Sequence, residues 1–244
     1  MKNKKEFLEV ITRNIQAKQF HITVVAQSKT PRYAYSVGNY DKYGFELVLA
    51  GSENFLYEDV LLIFNDIVSQ LENEIDIDTK MFLVKDLGNF HLREISDSRK
   101  TKMMFGVYDY YEVNNFRAYQ IIPEKAHYTL DIPNMNNQWN SNNDIIWKWL
   151  DDSIKWDLDV PEESTVITEI DVLLGKKATE IMRWEKDDWQ IFTQDGNNID
   201  EDNLRVVPIT TILGIDETLL PIIKLNLGKG LWRSEDELIW NDWG

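Results

Sequence analysis

With 244 residues, 43% of them hydrophobic, the chain is long enough for two modest domains and too apolar to be disordered. It contains no cysteine, which excludes disulfides, thiolate metal sites and thiol nucleophiles. Its net charge of −16 is uneven: residues 151–244 carry 9 Lys+Arg against 22 Asp+Glu, and residues 1–150 carry 17 against 20. The C-terminal part should therefore repel nucleic acid and anionic membrane while attracting a basic protein, although an acidic surface also serves solubility.

No apolar run reaches the eighteen residues a membrane span needs, and the basic start Met1-Lys-Asn-Lys-Lys leads into charged sequence with no export signal. A cytoplasmic protein is expected. Residues 3–18 place Phe7, Leu8, Ile11 and Ile15 at helical spacing. Residues 21–26 and 32–37 read as strands joined by the polar turn 27–31, and 45–50 as a third strand, apolar enough to be central. Residues 53–74 form an amphipathic pattern through Phe55, Val60, Phe64, Ile67 and Leu71, with Ser52 as the expected cap.

Short strands are expected at 80–84 and 90–95 around Gly88-Asn89, partial helix at 105–111, and a strand at 118–123. The Asn-rich stretch 133–143 reads as an exposed loop, and 144–156 resumes a helical pattern. Charged, aperiodic 157–163 is the predicted linker. Beyond it come strands at 180–184 and 189–193, the acidic loop 195–203, a strand-to-helix run at 206–213, a helix at 216–224, and closing strands at 231–233 and 237–240. The expected architecture is α+β in two domains, 1–156 and 164–244, each a mixed or antiparallel sheet packed with helices.

No catalytic or metal motif emerges. His21, His91 and His127 are widely separated, with no paired zinc spacing. Ser36 fails the Gly-x-Ser-x-Gly pattern because Ala34 fills the first glycine position, and Gly228-Lys-Gly230 is too short to cradle a phosphate. Asp195 to Asn203 lacks the alternating oxygen ligands of a calcium loop. No cofactor is predicted. Polar side chains do gather at strand ends, so His21, Tyr33, Tyr35, Ser36 and Asn39 are the candidate lining of a ligand pocket. Candidate partner-binding residues are Asp187, Asp188, Asp195, Asp200, Glu201 and Asp202, with Trp240 and Trp243 as aromatic anchors near the acidic chain end.

Phe20-His-Ile-Thr-Val-Val25, Pro31-Arg-Tyr-Ala-Tyr-Ser-Val-Gly-Asn39, Gly44-Phe-Glu-Leu-Val-Leu-Ala-Gly51 and Phe116-Arg-Ala-Tyr-Gln-Ile-Ile-Pro123 together resemble the bacterial domain of unknown function 4262. Its pattern is a His-initiated strand, a Pro followed by aromatic-Ala-Tyr-Thr-Val-Gly-Leu, a Pro-Glu-Leu strand and a late strand ending in Pro. Here Ser36 replaces Thr, Asn39 replaces Leu and Phe45 replaces Pro. The family has no agreed active site.

Asp188-Trp-Gln-Ile-Phe-Thr-Gln-Asp-Gly196, Ile215-Asp-Glu-Thr-Leu-Leu-Pro221 and Leu227-Gly-Lys-Gly-Leu-Trp-Arg233 are similar to the immunity-protein family numbered 33 of polymorphic toxin systems, with Glu217 where that family has Pro. The resemblance implies cytoplasmic neutralisation of a toxin by direct binding. The leading expectation is thus a non-enzymatic, immunity-type protein that binds a basic toxin. The alternative is an enzyme or small-ligand binder using a pocket near His21 and Tyr35.

Overall fold

A computed structural model describes residues 2–71, 77 and 79–243. The chain divides into two compact units: Met1–Val25, Tyr33–Tyr128 and Pro133–Asn140 form the first, and Ala26–Arg32, Thr129–Ile132 and Ser141–Gly244 the second. Each contains a six-stranded mixed sheet with helices, so the α+β expectation holds. Among the described residues no helix is long and apolar enough to cross a membrane.

The first unit runs α1 (Lys2–Lys18), β1 (His21–Val25), β2 (Tyr33–Val37), α2 (Tyr40–Tyr43), β3 (Phe45–Ala50), α3 (Tyr57–Leu71), β4 (Met81–Val84), β5 (Gly88–Glu94), α4 (Asp97–Met103), α5 (Phe105–Tyr111) and β6 (Arg117–Pro123). Strand order is β1-β2-β3-β6-β5-β4; only β3 and β6 run parallel. Every residue of β3 is buried, as its apolar run predicts for a central strand. Alternate residues Phe45, Leu47 and Leu49 join Tyr119 and Ile121 of β6 and Ile63, Phe64 and Ile67 of α3 in one core.

One local expectation changes. The start of α3 is not capped by Ser52, which is buried at φ +68 in the turn before it. Instead the Leu56 N–H donates to Asp59 Oδ2 at 2.8 Å, an acid three residues on satisfying an orphan donor. The final predicted residues of this helix, 72–74, lie outside the described residues. Helix α4 escapes apolar periodicity because its buried face carries Arg99 and Lys100. The Lys100 ammonium meets Asn115 Oδ1, the Phe116 carbonyl and Asp97, so its charge is answered inside.

The second unit contains β7 (Thr165–Glu169), α6 (Ile170–Leu173), β8 (Glu180–Arg183), β9 (Asp188–Phe192), β10 (Leu204–Pro208), α7 (Ile209–Ile215), β11 (Lys229–Trp232) and β12 (Asn241–Asp242), with longer 3-10 helices at Ile145–Leu150 and Glu217–Lys224. Strand order is β10-β7-β9-β8-β11-β12, and only β7 and β9 run parallel. Its core joins Val166, Ile181, Trp189, Ile191, Ile212, Leu219 and Ile222. The segment 157–163 belongs to this unit: Val160 is buried, and its carbonyl accepts from Trp156 Nε1 at 2.7 Å.

The helical pattern of 144–156 yields only the 3-10 helix 145–150. The Asp151 carboxylate accepts from Ser153 N and Oγ, and this local turn ends the helix. Strand β7 went unread because two of its five residues, Thr168 and Glu169, are polar yet buried. Thr168 Oγ1 donates to the Ile191 carbonyl, and Glu169 Oε1 accepts from Thr193 N and Oγ1. The closing pair is β11 with β12 rather than with 237–240.

What holds 233–240 as a loop is Arg233, whose side chain is fully buried. Its guanidinium donates to the Ala178 carbonyl (2.8 Å), Thr218 Oγ1 (2.8 Å) and Asp216 Oδ2 (3.0 Å), and it stacks 4.1 Å from the Trp240 ring centroid. Burial pushes the Asp216 carboxyl up, but hydrogen bonds from Thr218 and Arg233 outweigh it and hold the group below its usual range. A depressed carboxylate contributes stability above its unfolded value of 3.8 and loses it as pH falls through the folded value. Arg233→Ala should cost about 3–5 kcal/mol in urea unfolding, because it strands a partly buried carboxylate. The gap between wild type and variant should narrow below about pH 4.

Candidate functional site

The pairing of β2 with β3 runs Tyr33↔Ala50, Ala34↔Leu49 and Tyr35↔Val48. Beyond it a side chain takes over from the ladder. Leu47 N donates to Ser36 Oγ at 2.8 Å, and Ser36 Oγ donates to Glu46 Oε2 at 2.5 Å. Glu46 Oε1 accepts from Gly38 N (2.9 Å), Tyr40 N (3.0 Å) and the Tyr111 hydroxyl (3.1 Å). The residue is 0% exposed, so a carboxyl on the central strand is enclosed by four donors.

Burial pushes the Glu46 carboxyl above its ordinary 4.5, and hydrogen bonds from Ser36, Tyr40, Gly38 and Tyr111 pull it part of the way back. Burial also pushes the Tyr111 phenol far up, with the Glu46 charge adding to it, so the proton stays on Tyr111. With both oxygens engaged and no solvent access, the carboxyl works as an internal acceptor. It binds the chain from Ser36 to Tyr40 onto the sheet and ties Tyr111 of α5 to it.

Gly38 allows the same loop to close. It adopts φ +121, and a Cβ there would come within 2.9 Å of the Gln19 carbonyl oxygen and of Phe20 Cα. The loop therefore passes directly over the joint between α1 and β1.

The five predicted pocket residues meet different fates. Tyr33, Tyr35, Ser36 and Asn39 are buried. The Tyr35 hydroxyl accepts from Gly106 N at 3.1 Å, and burial raises the pKa of both tyrosines. The Asn39 carbonyl accepts from Lys42 N and Tyr43 N, starting α2. His21 is half-buried, within 2.9 Å of Asn14 Nδ2 through its Nδ1, and burial lowers its pKa. Ser36 joins a carboxyl, that of Glu46. Sequence reasoning missed Glu46 and Tyr111. The available signal was an acid standing alone in the apolar run Phe45–Ala50, where a buried charge needs partners.

Elsewhere in this unit, His127 Nδ1 lies 3.7 Å from Glu124 Oε1, and His91 pairs with Met81 and Ile122 across β5. Among the described residues no three His, Asp or Glu side chains are placed to hold a metal ion.

The acidic candidates of the second unit divide around β9. Asp187 precedes it and Asp188 opens it, where burial and the neighbouring Asp187 and Glu185 charges push the Asp188 carboxyl up. Asp195, Asp200, Glu201 and Asp202 follow its other end, with Asp200 Oδ1 capping Asp202 N at 3.1 Å. There Glu180, opposite Phe192 and Trp232, is raised by burial and by Asp195. Of the two aromatic anchors, Trp240 is half-buried on Arg233 with Nε1 donating to the Thr218 carbonyl, whereas Trp243 is 41% exposed. Trp232 (43%), Leu238 (65%) and Ile239 (77%) are exposed in the same stretch, and the sequence reading had not singled them out.

Glu46→Ala leaves four donors facing a cavity and should cost about 3–5 kcal/mol by urea unfolding followed by circular dichroism. Glu46→Gln keeps an acceptor but sets an amide donor against the Ser36 hydroxyl, and should cost about 1–2 kcal/mol. A raised carboxyl contributes its stability below the unfolded value of 4.5 and loses it as pH rises through the folded value. The advantage of wild type over Glu46→Gln should therefore shrink as pH rises above 4.5.

Residues 14–128 match the model of the family described as Domain of unknown function (DUF4262). The match takes in Ser36, Gly38, Glu46 and Tyr111, the whole of the buried constellation. No curated protein and no solved structure matches the chain.

Proposed function

We propose that this chain is a protein-binding protein rather than an enzyme, and that its partner is a basic protein docking on the C-terminal end of the second unit. The observation that carries this reading is the coincidence of exposed Trp232, Leu238, Ile239 and Trp243 with Glu235, Asp236, Glu237 and Asp242 in one short stretch of chain. Exposed large apolar side chains within an acidic surround have the composition of an interface with a hydrophobic centre and a charged rim. The net charge of −13 on residues 151–244 would steer a basic partner towards this end.

The finer form of the proposal is that the partner is a toxin that the chain neutralises, as an immunity protein does. It rests on the likeness of residues 188–233 to such a family. The closed, fully bonded surroundings of Ser36 and Glu46 also favour binding over chemistry in the first unit, since neither oxygen of that carboxyl is open to a substrate.

The test is to co-purify the chain with a basic toxin encoded beside it and measure binding by surface plasmon resonance. A complex weakening with salt is expected. Ile239→Asp with Trp243→Ala should weaken it at least tenfold through faster dissociation, about 1.4 kcal/mol or more. Glu235, Asp236 and Glu237 changed to Lys should slow association and flatten the salt dependence. Absence of a complex, or a complex indifferent to both sets, would overturn the proposal.

A further inference from the structure

We propose that the second unit has a separate small-molecule site, a half-open cavity of about 470 Å³ bordered by the 3-10 helix 145–150, α7 and the 3-10 helix 217–224, and that its ligand is a small amphipathic anion. The volume falls within the range of ordinary ligand sites, about 300–1,000 Å³.

The cavity exists because two short helices meet at a glycine. A Cβ on Gly214 would lie 2.4 Å from Ile146 Cγ1 and 3.2 Å from Ile146 N, so the 145–150 helix rests directly on α7 there. With Ile146 buried in that contact, the flanking Trp149 joins Leu158, Leu213, Ile215 and Leu220 as an apolar wall. The Trp149 ring is fixed from behind by Trp156, with centroids 4.7 Å apart. Thr210, also on the wall, has its hydroxyl committed to the Lys29 carbonyl at 2.8 Å.

The charge follows from Lys148. Its ammonium stands 4.2 Å from the centroid of the Trp149 ring, half-buried against an apolar surface. Among the described residues no carboxylate lies within ion-pair distance of it. A partly desolvated cation with only an aromatic face for company favours an incoming anion, because the pair forms where water screens poorly. Glu217 also borders the cavity but is exposed, so water screens its charge. The recognised molecule therefore has one carboxylate or sulfonate at Lys148 and a ring system or alkyl chain against Trp149 and Leu213. This site is independent of the proposed docking surface.

The full chain is titrated with anionic 8-anilinonaphthalene-1-sulfonate and with the uncharged N-phenyl-1-naphthylamine, followed by fluorescence, and bound sulfonate is then challenged with decanoate. The sulfonate should bind one per chain, about tenfold more tightly than the neutral probe, and decanoate should displace it. Lys148→Met should abolish that preference while neutral-probe binding persists. Lys148→Arg should keep the preference, and Glu217→Gln should leave it equal or stronger. Leu213→Trp should fill the cavity and remove both probes; should it fail to fold, the Lys148 pair decides the matter alone. A sulfonate no tighter than the neutral probe, a preference surviving Lys148→Met, or bound sulfonate that decanoate leaves in place would overturn the proposal.

Discussion

The first unit depends on a carboxyl placed where solvent cannot reach it. Glu46 occupies the middle of the sheet, and ionising it there would cost several kcal/mol if it stood alone. The chain answers with a hydroxyl from β2, a backbone amide from the loop after β2, another from the first residue of α2, and a phenol from α5. Each donor fixes a different piece of structure to β3. Ser36 serves twice, accepting from Leu47 N while donating to Glu46, and so continues the β2–β3 ladder past its last pair. Three residues within the span that matches the family, Ser36, Gly38 and Glu46, are thus explained by one another: a donor, a bend only glycine permits, and the acceptor that both serve.

The second unit uses a buried cation for a comparable purpose. Arg233 sits just beyond β11 and gathers the Ala178 carbonyl, Asp216, Thr218 and the Trp240 ring around a single guanidinium. Apolar residues replacing Arg233 and Asp216 together could fill the space with comparable stability, but they would not select these particular partners. The geometry of the fork fixes Trp240 and with it the stretch 234–240. It turns Trp240 inward and leaves Leu238, Ile239 and Trp243 facing solvent. Architecture and surface chemistry are linked there through one side chain.

Much of the fold could be read from periodicity, and the failures share a cause. The apolar run Phe45–Ala50 declared a central strand, and the helical spacing of Val60, Phe64 and Ile67 declared the helix packed on it. Elements buried through polar groups stayed hidden. Strand β7 buries Thr168 and Glu169, and α4 buries Arg99 and Lys100, because distant acceptors and donors satisfy them. A one-dimensional pattern records which residues are polar and not which are partnered. Tyr111 reaches Glu46 from sixty-five positions away, so no local motif contains the constellation. In the same way, the acids around β9 look like one cluster in sequence, yet a five-residue strand separates them into two ends. The aromatic-rich chain end was visible as composition. The inward turn of Trp240 depended on Arg233 and was not.

The central claim is that Ser36 and Glu46 act as a single structural unit. A double-mutant cycle measures this directly: urea unfolding free energies of wild type, Ser36→Ala, Glu46→Gln and the double variant at pH 7. The account predicts a coupling of at least about 1 kcal/mol, with the second substitution costing much less once the first is made. Costs that simply add, with coupling within about 0.3 kcal/mol of zero, would contradict it.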